Sequence, residues 1–560
     1  MYSSLYYNLH VAGSVTTTGR SLISNATMFF ESFLSNNVKF GSLNEVITFI
    51  TNICKEKKDR KYNDKVFIDR FITKEECFVK VALNCGFQWL PTINELDIIW
   101  NMICKLDQEN LNRIFYKNNL YSFMSNSTMV KTIDYILSIL DKPFMDPNNP
   151  PESIKVELDE LLNILREYVY YPHLYMDTID RCDNMKKNVA AISDTDSAIV
   201  SLDAWYRFNL DNVMGKRYKL MEQKVDFIKD FDDSPNNFIN PLPKVLDYDF
   251  YSDETIEIEK AKNFINILPQ ENLRYTLVNI LAYILTKLAN EYMIVLTKSM
   301  GSYQEGVKCF IYLKNEFLFK RALLTMAKKN YATLQELQEG NIVPLDEQLD
   351  LKGLAIDKSS MNMSTRKALK KILLEDILRA DNIDRVQIIK DLAILEDNIY
   401  KSLVSGSKDY YKPVTVKSFA TYENPTRIQG IKASLAWNAL RGDLEALDLN
   451  ERNAIDVVKV DINPNTAESI KEEYPDVYNA IINVIGTKDK PSSNDLYREA
   501  FKGNITTIAI PKDIDVPEWV TRFIDYKAII NDNLCNFPTE SVGIRNMGKD
   551  KVNYTNIVKL

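Results

Sequence analysis

The chain has 560 residues with 69 Lys+Arg, 77 Asp+Glu and a formal charge of −8; 45% are hydrophobic and 26% charged. These are the proportions of a folded globular protein, with room for about three or four domains. Two histidines, His10 and His173, exclude a three-His metal site and an HExxH zinc helix. Seven cysteines (54, 77, 85, 104, 182, 309 and 535) form no CxxC pair, which disfavours zinc ribbons and iron–sulfur frameworks and fits a reducing compartment. Only 16 glycines occur, a scarcity that favours a helical chain over one rich in phosphate-cradling loops.

In chain order, the opening Met1-Tyr2-Ser3-Ser4 has neither the basic start nor the apolar core of a secretory signal. Apolar residues recur through 17–35, predicting a helix after Gly19. Amphipathic segments follow between 41 and 180, at 43–54, 93–106 and 129–140; the proline-rich stretch 143–151 predicts a linker, with Ser153 capping the next helix. Two short apolar runs at 187–192 and 198–202 flank Ser193-Asp194-Thr195-Asp196-Ser197, the pattern of a β-hairpin with carboxylates at its tip.

Helices are predicted at 256–268 and 271–298. The most apolar stretch, 276–296, is interrupted by Asn279, Lys287, Asn290 and Glu291, so it reads as a buried helix and not a membrane span. A strand-like segment covers 307–313. From Lys314 to Tyr331 there are five Lys/Arg and one Glu, locally +4 in an acidic chain. Beyond Gly353 the pattern is mainly helical, at 364–380, 384–404 and 466–485.

Two aspartates one residue apart on a tight turn repel each other, and each is costly to bury unless a cation sits between them. Their hard oxygens suit Mg²⁺, which takes substrate phosphates as further ligands. The plainer reading is a polar turn, since Asp and Ser are ordinary turn residues. The hairpin Ser193-Asp194-Thr195-Asp196-Ser197 resembles the DTDS hairpin of family B DNA polymerases, although Ile192-Ser193 stand where that family has Tyr-Gly. The resemblance implies that Asp196 bridges the metals, that Asp194 is an auxiliary ligand, and that Thr195 and Ser197 complete the hairpin.

Further segments resemble the same family in the same order. Val15-Thr16-Thr17-Thr18-Gly19-Arg20 is similar to the VT-x-x-GR helix that returns from the fingers to the palm. Lys328-Lys329-Asn330-Tyr331-Ala332 is similar to the KK-x-Y-A motif that touches the primer–template, with Asn330 in place of Arg. Lys352-Gly353 is similar to the KG segment at the palm–thumb junction; the segments beginning at Pro425 and Ile510 are similar to parts of a phage-type thumb. The lysines would meet phosphates as point charges and Tyr331 would pack on sugar or base; Gly353 would let the backbone approach the primer.

The implied fold is α+β: a palm of antiparallel sheet carrying the acidic hairpin, a predominantly helical thumb and a helical insertion. Its divisions would be 1–40 (helix returning from the fingers), 41–185 (insertion), 186–350 (palm) and 351–560 (thumb). The resemblance covers about 1–35 and 186–560.

The family's D-x-x-SLYP motif and its fingers helix K-x-x-x-N-S-x-YG find no match; Ser3-Ser4-Leu5-Tyr6-Tyr7 is a superficial likeness with Met1 at the aspartate position. The expectation is therefore the C-terminal subunit of a template-directed DNA polymerase. A partner chain would carry the exonuclease domain, the first metal aspartate and the fingers, and two Mg²⁺ ions would be shared with it. Substrates would be primer–template DNA and deoxynucleoside triphosphates, with no membrane partner, in the cytoplasm of a phage-infected host. The alternative is a non-catalytic DNA-binding or scaffold protein derived from a polymerase. A P-loop reading of Gly543-Ile544-Arg545-Asn546-Met547-Gly548-Lys549-Asp550 is disfavoured, because Asp550 stands where Mg²⁺ needs a hydroxyl. There is no GxSxG elbow for a Ser–His hydrolase.

Overall fold

A computed structural model of the chain describes residues 9–35, 40–55, 68–84, 90–170, 178–194, 196–214, 270–303, 305–306, 311–441, 451–462, 468–487, 489–501, 504–550 and 553–558. It divides into two compact units: residues 1–317 with 337–342, and residues 318–336 with 343–560.

The first unit is a helical assembly around a long N-terminal helix, α1 (Leu9–Ser35). Gly19 lies inside this helix, which begins earlier than predicted. Ile23, Ala26, Phe29, Phe30, Phe33 and Leu34 are buried, at the spacing that puts them on one helical face. Around them pack α2 (Leu43–Lys55), α3 (Lys74–Val79), α4 (Ile93–Ile103), α5 (Gln108–Tyr116), α6 (Leu120–Met124), α7 (Ser127–Ser138), α8 (Lys155–Tyr168) and α9 (Ile179–Asn184). Their starts are written locally. Thr73 and Thr92 each close a capping box, with Glu76 and Glu95 respectively, and Asp107, Asn119 and Asn126 cap the next three. Ser153 does not cap α8: it lies in a 3₁₀ turn, and its hydroxyl donates to Asp141 at 2.6 Å.

After α9 come β1 (Ala190–Ser193), β2 (Ala198–Val200), α10 (Asp203–Asn209) and then α11 (Gln270–Ser299). The predicted helix at 256–268 lies outside the described residues. By length and composition α11 could cross a membrane, but 67% of its most apolar window is buried within the protein. The polar residues that interrupt its apolar run tie it to neighbouring segments. Asn279 donates to the Phe144 and Met145 carbonyls at 2.8 Å, and Glu291 accepts from Arg166 Nε at 3.0 Å. Asn290 grips both backbone groups of Leu313, at 2.9 and 2.6 Å. That side-chain clamp occupies the groups Leu313 would use in a strand, and residues 311–313 are irregular; 307–310 lie outside the described residues.

The second unit holds two antiparallel sheets. In the first, β3 (Phe317–Leu324) neighbours β4 (Tyr331–Gln338), which pairs with β6 (Leu349–Lys352); the end of β4 and the short β5 (Asn341–Ile342) paired with it fall among the residues 337–342 of the first unit. Helix α12 (Met363–Ile372) runs on into a π-helical turn at Leu373–Leu378, and α13 (Arg385–Val404) follows.

The region predicted to be predominantly helical is built on a second sheet in the order β7 (Lys412–Val416), β8 (Asn453–Ile462), β9 (Ile505–Pro511). The cause is composition. Ile455, Val457, Val458, Val460 and Ile462 on β8 and Ile505, Ile508 and Ile510 on β9 are β-branched and buried. Pro413 is tolerated because β7 is an edge strand.

Helix α14 (Gln429–Arg441) lies against this sheet, with Gly430 through Leu440 all buried, apart from the intermediate Lys432. A Cβ on Gly430 would lie 2.7 Å from Val416 Cγ2, so glycine permits the close helix–strand approach. Helices α15 (Glu468–Glu473) and α16 (Pro475–Val484) break at Pro475, where one helix was predicted over 466–485. Helices α17 (Asp495–Phe501), α18 (Glu518–Phe523) and α19 (Tyr526–Leu534) complete the layer.

Candidate nucleic-acid interface and acidic hairpin

The hairpin forms as a two-stranded antiparallel ribbon, with Ile192 opposite Ile199 and Ser193 opposite Ala198, and a bulge after Ala190. Asp194 donates its backbone N–H to the Ser197 carbonyl at 2.8 Å, closing the turn. The tip thus carries Asp194, half-buried, and Asp196 and Ser197, exposed; Thr195 lies outside the described residues.

What holds the ribbon is a residue that sequence inspection passed over. Glu31 on α1 is fully buried. Its carboxylate accepts the N–H groups of Asn188 at 3.0 Å, Val189 at 2.9 Å and Ala190 at 2.7 Å, and the Ser35 hydroxyl at 2.9 Å. Burial alone would raise its pKa, but these hydrogen bonds outweigh burial and hold the carboxyl below its ordinary range. The available signal was a lone charge among Phe29, Phe30 and Phe33.

In the second unit, the predicted primer-strip residues come together. Strand β4 begins at Tyr331, which pairs with Lys352 on β6. The turn from β3 to β4 is closed from both sides. Thr325 donates to the Asn330 carbonyl through its N–H at 3.2 Å and its hydroxyl at 2.9 Å, and Asn330 N–H reaches Ala327 O at 3.2 Å. Lys328 and Lys329 stand exposed on this turn, and Lys329 adopts a left-handed backbone with φ +61°.

Gly353, with φ +66°, passes so close that a Cβ would lie 2.6 Å from the Lys329 carbonyl and would strike the Asn330 side-chain oxygen. The glycine is required twice over, for its conformation and for this contact. Lys352 is exposed and ion-paired with Asp350 at 3.4 Å. Residues 317–335 contain no acidic side chain. Arg321 serves structure: its guanidinium donates to the Ile377 carbonyl at 2.8 Å.

Among the described residues, no group of three His, Cys, Asp or Glu could hold a metal ion. The hairpin offers two carboxylates, a donor set that suits Mg²⁺ when other ligands come from elsewhere. The 543–550 segment is not a phosphate loop. It follows a 3₁₀ turn (Thr539–Val542) and leads into a four-residue helix, and a Cβ on Gly548 would lie 2.8 Å from the Cys535 backbone nitrogen.

No curated protein matches the chain. A family model does, that of the divergent Family B DNA polymerases, over residues 258–553. The matched stretch takes in the Lys328–Tyr331 turn and the Lys352-Gly353 turn and leaves the acidic hairpin outside it. With more than half of its length so matched, the chain belongs to the divergent Family B DNA polymerase family.

Proposed function

We propose that this chain is the C-terminal subunit of a template-directed DNA polymerase of phage type, working in the host cytoplasm. It would extend a primer 3′ end with deoxynucleoside triphosphates. The observation that carries the reading is the convergence of Lys328, Lys329, Tyr331, Lys352 and Gly353 on one pair of turns. Residues 186–350 serve as palm and 351–560 as thumb; 1–40 return from the fingers, and 41–185 form an insertion.

In this reading Lys328, Lys329 and Lys352 meet primer–template phosphates, and Tyr331 packs against a sugar or base. Gly353 lets the two turns close on each other. Asp196 and Asp194 would hold Mg²⁺ together with an aspartate from a partner chain. Such ions, when bound, stabilise the attacking and leaving oxygens of an in-line phosphoryl transfer. The partner chain would also bring the fingers and the exonuclease domain.

The position of the hairpin outside the matched stretch favours one other reading, a polymerase-derived DNA-binding or scaffold protein without catalysis. Fluorescence anisotropy of a labelled primer–template duplex tests the part common to both. Lys328→Ala with Lys329→Ala should weaken binding and lower the salt slope by roughly two. Unchanged affinity and slope would remove the nucleic-acid reading.

A further inference from the structure

Met326 stands between Thr325 and Ala327 on the β3–β4 turn, and its side chain is 97% exposed, the most of any large apolar residue described. Thr325 and Asn330 are joined by two hydrogen bonds, and Ala327 N–H reaches the Thr325 hydroxyl at 3.3 Å. The main chain on both sides of Met326 is therefore fixed by the turn, with the side chain in water. A single exposed apolar side chain is ordinary on a protein surface; at the tip of a basic turn it is also placed where a charged partner would cover it.

The partner's chemistry is set by the neighbours. Ala327, Lys328 and Lys329 are exposed beside it, and no acidic residue lies within nine positions of Met326 on either side in sequence. A surface that satisfies both features presents phosphates around an apolar interior, as a nucleic-acid groove does. Flexible apolar side chains, methionine among them, insert at base steps in such grooves. We infer that Met326 is a positioning residue that packs against the base pairs of the bound primer–template while the adjacent lysines hold its backbone. The inference rests on the nucleic-acid reading of the strip and adds to it a contact that senses base stacking.

The test uses the full chain and a primer–template duplex with 2-aminopurine placed at successive positions from the primer end. Binding should change the fluorescence at one or two positions. Met326→Ala should abolish that change while lowering affinity by less than about tenfold and leaving the salt slope intact; Met326→Leu should restore the signal. A Met326→Ala protein that gives the wild-type fluorescence pattern overturns the inference. If Lys328→Ala with Lys329→Ala leaves affinity and slope unchanged, the nucleic-acid reading itself fails, which is a separate result.

Discussion

The carboxylate of Glu31 accepts the backbone N–H of Ala190 at 2.7 Å, joining residues 159 positions apart. Through this bond and those to Asn188 and Val189, helix α1 holds the base of the ribbon whose tip carries Asp194 and Asp196. Hydrogen bonds to a charged group contribute about 1.5–3 kcal/mol each when well formed. Glu31→Gln keeps the shape and loses the charge, and should cost about that much of the first unit's stability. Amide hydrogen exchange at residues 188–190 should accelerate in the variant.

The same residue predicts a pH dependence. Its folded pKa lies below the ordinary 4.5, so its contribution is present above that value and disappears as pH falls through the folded pKa. The stability gap between wild type and Glu31→Gln should be full at neutral pH and narrow as pH falls below the ordinary 4.5 toward the lowered folded pKa. Denaturant midpoints across that range measure it.

Gly353→Ala tests the packing of the two basic turns. The new Cβ meets the Lys329 carbonyl and the Asn330 side chain at a backbone conformation that disfavours alanine. The expected loss is about 1–3 kcal/mol of stability, with weaker duplex binding as the Lys328–Tyr331 turn is displaced. A variant with wild-type melting and wild-type binding would mean that this contact is not needed.

Asp376 on the π-helical turn shares a hydrogen bond with Asp391 on α13. Burial first, then the charge and hydrogen bond of Asp391, push its carboxyl up to about 6. Gln387 donates to the other side of the pair, reaching Asp391 Oδ2 at 2.9 Å. A raised carboxyl pKa stabilises the fold below the ordinary 3.8, and that contribution is lost as pH rises through the folded value. Asp376→Asn should therefore melt higher than wild type above about pH 6, and the difference should vanish near pH 4.

The hairpin and the basic strip were legible because their signals are local: apolar runs around a polar turn, and lysines clustered with a tyrosine and a glycine. The contact between the two basic turns was not. It depends on the register that sets Tyr331 opposite Lys352, which no window along the chain contains. Sheet β7–β8–β9 was missed although Ile455, Val457, Val458 and Val460 carry the β-branched density of a strand; the helical segments around it dominated the pattern. Glu31 was passed over in an aromatic helix, because its partners at residues 188–190 lie far away in sequence. Asn279 and Asn290 are similar cases, polar breaks in α11 that prove to be its anchors.

The central claim is that the acidic hairpin takes part in nucleotide addition, and primer extension tests it most directly. The chain would be co-purified with a polypeptide carrying the D-x-x-SLYP aspartate and fingers, as wild type and as Asp196→Ala, and assayed with Mg²⁺ on a primed template. The account predicts extension by the wild-type pair and a loss of about a thousandfold in the variant, as expected when several kcal/mol of transition-state stabilisation are removed. Duplex affinity should stay near that of the wild type. Extension by the Asp196→Ala pair at the wild-type rate would contradict the account.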